Sequence, residues 1–281
     1  MKLIDVHDLC KKYQGFELKN VNLSLDEGYI MGFIGRNGAG KTTTIKSILN
    51  IIHPDSGSIR INGYAFEKDE LAIRNTVGFV SGGINFYPHT KLKKLTGVTK
   101  RFYTEWDEPR YQSLMERFEI DDTKKVKELS EGMKVKYSIA VALSHNAKLL
   151  LLDEPTSGLD PAARDDLLCL FQEFIEDGKH SILFSTHITS DLEKCADYVT
   201  YIKNGKILVS SDKDSFKQSY ILISGKKNQL TAAIEPHIIG IHKHDLGFEG
   251  MIHTEDKALA RGLEFSQPAL DDIMVHIERR S

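Results

Sequence analysis

A glycine-rich segment that ends in lysine and threonine is the strongest chemical signal in the chain. Gly35 to Thr42 read GRNGAGKT, which matches the pattern G-x-x-x-x-G-K-[ST] in full. Glycines at these positions let backbone N–H groups converge on phosphate oxygens, while the lysine reaches the β- and γ-phosphates and the threonine hydroxyl ligates Mg²⁺. The segment therefore predicts a site for a nucleoside triphosphate and Mg²⁺, with Lys41 and Thr42 in these two roles.

Two neighbouring acids follow an apolar run further along the chain. Asp153 and Glu154 end the segment LLLLDE. In NTPases with such a phosphate loop, an aspartate so placed holds Mg²⁺ and a neighbouring carboxylate polarises the attacking water. We therefore expect Asp153 to bind the metal together with Thr42, and Glu154 to act as the general base. Taken in isolation, the same two acids could equally cap the next helix.

Alternating strands and helices are expected to position these residues. The apolar run YIMGFIG predicts a buried strand before the loop, and apolar residues at helical spacing from Ile45 to Ile52 predict an amphipathic helix after it. Short apolar runs at 149–152 and 182–184 are typical of strands in a parallel sheet covered on both faces. Between them, a helix begins after Asp160 and ends at Gly178. This order predicts an α/β fold.

The length of 281 residues predicts one large and one small folding unit. The segment from Gly82 to about Lys127 is mixed, charged and aromatic, with a predicted helix at 109–118, and it indicates a helical insert. After Gly205 the elements become shorter, and the last is a helix behind Pro268. We expect a nucleotide-binding domain over residues 1–215, with a helical subdomain at about 83–145, and a small α+β domain over residues 216–281.

Composition excludes several classes of protein. With 41% hydrophobic and 27% charged residues, the chain is expected to fold by packing a core and not to be disordered. Its longest apolar runs are far shorter than the ~20 residues that cross a bilayer. Three widely spaced cysteines and the lack of an apolar leader favour a reducing cytoplasm. A net charge of −3 gives no overall attraction to nucleic acid, and no nucleic-acid partner is expected.

Three further motifs make the chain resemble the ATP-binding cassette (ABC) proteins. ELSEGMK holds a signature-like segment at 129–133, SGLD at 157–160 resembles the D-loop, and FSTH at 184–187 resembles the strand with the switch histidine. The motifs follow the family's order, and the resemblance covers about residues 1–215. It implies a P-loop NTPase core of ABC type, with an antiparallel β subdomain and a helical signature subdomain.

The resemblance also implies roles for residues that the phosphate loop does not contain. Tyr13 would stack on the adenine of ATP, and His187 would contact the γ-phosphate. Ser130 and the backbone around Gly132 would contact ATP held by a second copy of the chain, so the resemblance implies a nucleotide-dependent homodimer. The expected nucleotide-contacting residues are Tyr13, Gly35, Arg36, Asn37, Gly38, Ala39, Gly40, Lys41, Thr42, Thr43, Ser130, Gly132 and Asp160, and the expected catalytic residues are Lys41, Glu154 and His187.

The chain departs from the family pattern at two places. In VGFVSGGINFYP, Gly82 stands where the family has a glutamine that contacts Mg²⁺ and senses the membrane subunit. Glycine has no side-chain oxygen, so a water molecule or Asn85 could take its place. Glu131 and Met133 replace the usual glycine and glutamine of the signature, whereas Ser130 and Gly132 are retained.

The leading hypothesis for function is the ATPase subunit of an ABC exporter. Such a subunit would act as a homodimer, peripheral to the cytoplasmic face of the cell membrane, on separately encoded membrane permease subunits. The chain is most similar to bacterial ABC-2-type exporter ATPases, of the bacitracin, lantibiotic or phenol-soluble modulin type, for a peptide, drug or other amphipathic substrate. Two alternatives are an ABC ATPase without transport and a nucleotide-binding regulatory module that rarely hydrolyses, which Gly82 suggests. Against the first alternative, the sequence shows neither the tandem cassettes of ABC translation factors nor the long coiled coils of chromosome-organising members.

Overall fold

The computed structural model describes residues 1–82 and 86–279. The chain forms two compact units, Met1–Ser210 and Ser211–Ser281. The division therefore lies before the boundary that the sequence suggests after residue 215. A short helix, Lys213–Gln218, runs across the suggested boundary, and its Phe216 packs edge-on against Tyr220 of the second unit, with ring centroids 5.7 Å apart.

The first unit contains two sheets and the helices that connect their strands. Its strands are β1 (Lys2–Tyr13), β2 (Phe16–Asp26), β3 (Ile30–Ile34), β4 (Ser56–Ile61), β5 (Val77–Ser81), β6 (Leu149–Asp153), β7 (Ser181–Thr186), β8 (Tyr198–Lys203) and β9 (Lys206–Asp212). Its helices are α1 (Lys41–Ile48), α2 (Phe66–Thr76), α3 (Leu92–Thr99), α4 (Glu108–Arg117), α5 (Glu131–Leu143), α6 (Pro161–Ile175) and α7 (Thr189–Cys195).

The larger sheet places the ends of three strands side by side. Its order is β5-β6-β7-β3-β8-β9, and β5, β6, β7, β3 and β8 are parallel. Every residue of β3, β6 and β7 is buried, which explains why these strands are continuous apolar runs. The strands expected at 149–152 and 182–184 are confirmed. Because parallel strands end at one edge of a sheet, the residues that follow β3, β6 and β7 lie close together.

The smaller sheet is antiparallel, in the order β2-β1-β4, as the resemblance implies. Leu9 and Leu18 on its buried face belong to the same apolar cluster as Ile45 of α1 and Leu151 of β6. The hydrophobic effect supplies about 25 cal/mol for each Å² of apolar surface removed from water. Burial of this cluster therefore fixes α1, which begins with Lys41, against both sheets.

The insert between β5 and β6 is helical, as expected. A buried hydroxyl cluster joins α3, α4 and α5, since Thr96 Oγ1 lies 2.9 Å from Tyr111 Oη and 2.8 Å from Tyr137 Oη. The helix expected at 109–118 is α4, and its N-terminus is capped by Asp107, whose carboxylate accepts the N–H of Arg110 at 2.8 Å.

The second unit is an α+β fold of its own. Its elements are α8 (Lys213–Gln218), β10 (Tyr220–Gly225), β11 (Ile239–Lys243), β12 (Phe248–His253), β13 (Glu264–Ser266) and α9 (Leu270–Arg279). The four strands form an antiparallel sheet in the order β11-β12-β10-β13, and α9 is the helix expected behind Pro268. Its core contains Ile223, Phe248 and Ile252. No helix in the described part of either unit is both long and apolar enough to cross a bilayer.

Candidate active site

The phosphate loop joins the end of β3 to the start of α1, and two of its glycines have no room for a side chain. A Cβ on Gly35 would lie 2.4 Å from the carbonyl oxygen of Ile202. Gly40 has φ 116°, and a Cβ there would lie 2.7 Å from Leu18 and 2.9 Å from Phe16. Both positions therefore require glycine, and the loop backbone packs directly against β8 and β2.

Lys41 is the first residue of α1, and its side chain is only 5% exposed. Its ammonium donates to the carbonyl oxygen of Gly35 at 2.7 Å and pairs with Glu154 Oε1 at 3.1 Å. A buried cation at a helix N-terminus is costly unless anions surround it. The loop thus holds a positive charge where the helix dipole also favours an anion.

Thr42, Asp153 and Ser185 bring hydroxyl and carboxylate oxygens together beside the loop. The Thr42 hydroxyl lies 2.8 Å and 3.1 Å from the two carboxylate oxygens of Asp153. The Ser185 hydroxyl donates to Asp153 Oδ1 at 2.6 Å, because parallel pairing of β6 and β7 sets these two residues opposite each other. Hard oxygen donors of this kind suit Mg²⁺, which takes few protein ligands and completes its shell with phosphate oxygens and water.

Glu154 has an unusual backbone conformation, with φ at +53°. A glutamate rarely adopts this left-handed region, and the strain costs about 1–3 kcal/mol. Its N–H donates to the Ser185 carbonyl at 3.2 Å and lies 3.0 Å from the Ser185 hydroxyl. Its carboxylate lies between two basic groups, Lys41 on Oε1 and His187 Nδ1 on Oε2 at 2.8 Å. The turn therefore directs the carboxylate toward the phosphate loop.

One cavity of about 670 Å³ is lined by Lys41, Thr42, Glu154 and His187, among others. A cation, a carboxylate and an imidazole around a loop of backbone N–H groups can bind a polyphosphate and activate a water molecule against it. Asp153 lies beneath this cavity in contact with Thr42, and the carbonyl of Gly35 faces Lys41. The lining residues are Gly15, Phe16, Arg36, Asn37, Gly38, Gly40, Lys41, Thr42, Thr43, Glu154, Ser157 and His187.

The structure places Phe16, and not Tyr13, among the residues that line this cavity. Tyr13 is the last residue of β1, is 42% exposed, and has the ammonium of Lys11 5.8 Å from its ring centre. The sequence reasoning missed Phe16 and Ser157 as lining residues and Ser185 as a partner of Asp153. Strand register was the signal for Ser185, because a residue at the end of β7 must face the end of β6.

Ser130, Gly132 and Asp160 lie outside the cavity lining of their own chain, whereas Ser157 of the D-loop segment lines it. Ser130 caps α5 by accepting the N–H of Met133 at 3.2 Å. Gly132 lies against Leu159, since a Cβ there would be 3.0 Å from that side chain. Asp160 caps α6 by accepting the N–H groups of Ala162 and Ala163, both at 3.0 Å, and these bonds lower the pKa of its carboxyl below the usual value.

Gly82 follows β5, and its N–H lies 3.3 Å from the Asp153 carbonyl oxygen. Its φ is +62°, and apart from its chain neighbours no atom of the described residues lies within 4 Å of the place where its Cβ would stand. The described residues therefore leave room for a side chain at this position. The idea that Asn85 replaces it falls outside the described residues.

Comparisons with known proteins agree with this geometry. The profile of the family described as "ABC transporter" matches residues 18–157. The Bacillus subtilis (strain 168) ABC transporter ATP-binding protein YtrB is 34% identical over 222 residues, which are 79% of this chain and 76% of YtrB. The Bacillus licheniformis bacitracin transport ATP-binding protein BcrA is 32% identical over 259 residues, which are 90% of this chain and 84% of BcrA.

A solved structure of an ATP-binding subunit of an ABC transporter is also similar. Its TM-score is 0.70 at 30% identity, over 77% of this chain and 92% of that one. The phosphate loop and the Asp153-Glu154 pair lie within the residues that the family profile matches. The chain therefore belongs to the family of ABC transporter ATP-binding subunits, and it is an ATPase that binds and hydrolyses ATP.

Proposed function

We propose that this ATPase powers the export of a peptide, drug or other amphipathic substrate through separately encoded membrane subunits. The observation that carries the proposal is the likeness to BcrA, a bacitracin transport ATP-binding protein, over 90% of this chain. The 259 matched residues are more than the first unit contains, so the likeness extends into the second unit. In this role the chain would lie at the inner face of the cell membrane.

The phosphate loop binds the triphosphate of ATP in this proposal. Backbone N–H groups of residues 36–43 contact phosphate oxygens, and Lys41 contacts the β- and γ-phosphates. Thr42 and Asp153 would hold Mg²⁺, whose charge neutralises the phosphate oxygens as the γ-phosphoryl group leaves. Phe16 is the lining aromatic ring closest to the loop and is available to contact the nucleoside, whereas Tyr13 would have to turn toward the cavity to stack on adenine.

Glu154 is the proposed general base. The γ-phosphate takes the place of Oε1 as a partner of the Lys41 ammonium, and this releases Glu154 to orient the attacking water and accept its proton. His187, 46% exposed at the cavity edge, donates a hydrogen bond to the γ-phosphate and holds the second carboxylate oxygen of Glu154. The positive charge of Lys41 stabilises the negative charge on the transferred phosphoryl group.

A second copy of the chain completes the site. Ser130, Gly132 and Asp160 are absent from the cavity lining of their own chain, within the residues that the structure describes. In this proposal they serve ATP bound by a partner copy. ATP would join two chains through both sites, and loss of the γ-phosphate would separate them, which is a motion that a membrane subunit can use.

The experiment compares Glu154→Gln with Glu176→Gln, a matched change of an exposed glutamate at the end of α6. Glu154→Gln should bind ATP and hydrolyse it about 10² times more slowly or worse, the usual contribution of a general base. Light scattering after size exclusion should find it as an ATP-dependent dimer. Glu176→Gln should hydrolyse like the wild type.

Export is tested in vesicles that contain this chain together with its membrane subunits. Wild type and ATP should move a fluorescent amphipathic peptide outward, while Glu154→Gln should not. Hydrolysis without peptide movement would reject the exporter assignment, and normal turnover by Glu154→Gln would reject the general base.

A further inference from the structure

A buried carboxylate, Asp191, lies four residues after His187 and is not among the residues that line the cavity. It belongs to the first turn of α7 and is 0% exposed. The hydroxyl of Thr156, itself 1% exposed, donates to Asp191 Oδ2 at 2.7 Å. The Arg164 guanidinium donates through Nε to Asp191 Oδ1. Both carboxylate oxygens are thus bound by groups from other parts of the chain.

The cluster of Thr156, Arg164 and Asp191 joins the two segments that carry the proposed catalytic groups. Thr156 lies two residues after Glu154 and next to Ser157, which lines the cavity. Arg164 lies in the first turn of α6, and its Nη2 also donates to Ser190 Oγ at 2.7 Å. Asp191 therefore connects the segment between β6 and α6 to the segment that follows His187.

Packing of α6 against α7 has other supports. Lys194 of α7 pairs with Asp165 of α6, and the Gln172 side chain donates to the carbonyl oxygen of Lys194 at 3.2 Å. What Asp191 adds to these contacts is a bond to Thr156, in the irregular segment before α6. Buried polar groups hold a segment in one position because breaking the bond would leave the group without a partner. Because Thr156 precedes α6, its bond to Asp191 does not itself join α6 to α7.

We propose that Asp191 is a positioning residue for ATP hydrolysis, which acts through Thr156 to hold Glu154 and Ser157 in register with His187. The proposal rests on the roles proposed above for Glu154 and His187. A displacement of about 1 Å at reacting groups can cost up to about 10²-fold in rate. Loss of the Thr156 hydroxyl therefore lowers kcat about 10-fold or more. ATP affinity stays within about 2-fold, because the contacts of Lys41 and Thr42 do not involve this cluster.

The test is a matched pair of substitutions, Thr156→Val and Thr96→Val, in the full chain. Both replace a buried threonine hydroxyl that is hydrogen-bonded, with little change in shape, but Thr96 lies in the helical insert and bonds to two tyrosines. Steady-state hydrolysis gives kcat, equilibrium titration with a fluorescent ATP analogue gives Kd, and thermal melting gives stability. We expect both variants to melt at lower temperature, and only Thr156→Val to lose kcat with Kd unchanged.

Two more variants test the proposal even if Thr156→Val folds poorly. Thr156→Ser retains the hydroxyl and should recover at least half of the wild-type kcat, whereas Asp191→Asn removes the charge that holds Arg164 and should lower kcat with Kd unchanged. Equal kcat in Thr156→Val and Thr96→Val, or a wild-type kcat in Asp191→Asn, would overturn the proposal. A loss of ATP affinity that parallels the loss of kcat would also overturn it. Failure of the general-base assignment is seen separately, as normal turnover by Glu154→Gln.

Discussion

Acidification is expected to destabilise the first unit through a single buried histidine. His145 lies between α5 and β6, is 2% exposed, and stacks on Tyr103 with ring centroids 3.8 Å apart. Burial lowers the pKa of its imidazole from 6.5 to about 4, and nearby backbone groups oppose this only in part. The folded chain therefore holds His145 neutral at pH values where the unfolded chain protonates it.

The magnitude follows from these two values. Between pH 6.5 and about 4 the unfolded state binds more protons than the folded state, so the free energy of unfolding is highest above pH 6.5 and falls as the pH drops. At about 1.36 kcal/mol per pH unit, the full loss is about 3 kcal/mol. About 2 kcal/mol of it is lost by pH 5. This is a large share of the 5–15 kcal/mol that stabilises a typical domain.

The assay is urea unfolding followed by the fluorescence of Trp106, the single tryptophan of the chain. Trp106 reports on the same region, because the N–H of Asp107 donates to the carbonyl oxygen of Ser144 at 2.7 Å. Carboxylates also titrate in this range, so the wild type is compared with His145→Phe, which keeps a ring against Tyr103 but cannot be protonated. His89→Phe makes the same change at an exposed histidine.

Between pH 7.5 and 5, the wild type and His89→Phe should lose about 2 kcal/mol more stability than His145→Phe. The comparison uses the change with pH, so a constant effect of the substitution on packing cancels. Parallel pH profiles for wild type and His145→Phe would refute the reasoning, because they would mean that His145 is protonated with equal ease in both states.

Three further predictions concern the site and its supports. Gly35→Ala places a methyl group 2.4 Å from the Ile202 carbonyl oxygen, so calorimetry should find ATP binding weakened at least about 10-fold, and wild-type affinity would contradict the loop packing. Gly82→Gln should raise the hydrolysis rate of the isolated chain above that of Gly82→Ala, which introduces the same backbone strain without an amide oxygen. Equal hydrolysis rates for these two variants would mean that the missing glutamine does not limit hydrolysis. A chain shortened to end at Asp212 should fold and show an ATP-dependent rise in melting temperature, since the cavity lies wholly in the first unit, and an insoluble product would contradict this.

The parts of the site that one local segment determines could be predicted from the sequence. The phosphate loop needs glycines, a lysine and a threonine in one stretch, and the strand and helix beside it have clear apolar patterns. The Asp153-Glu154 pair follows an apolar strand in the same way. For such features, the residues that the chemistry requires stand at a fixed spacing within one segment, so the sequence pattern alone identifies them.

Features that depend on contacts between distant segments could not be predicted. Phe16 and Tyr13 are both aromatic residues near one turn, and only the pairing of β1 with β2 decides which of them lines the cavity. The cluster of Thr156, Arg164 and Asp191 joins segments from three parts of the chain, and each residue by itself has an ordinary reading as a turn, helix or cap residue.

The left-handed backbone of Glu154 limits how many other substitutions the chain can accept. Glycine adopts φ near +53° without strain, but at this position it would remove the carboxylate between Lys41 and His187 and leave the buried Lys41 ammonium without its anionic partner. Retaining glutamate there uses about 1–3 kcal/mol of a total that is only about 5–15 kcal/mol. Variation elsewhere in the first unit must therefore stay within a narrower margin than in a relaxed fold of the same size.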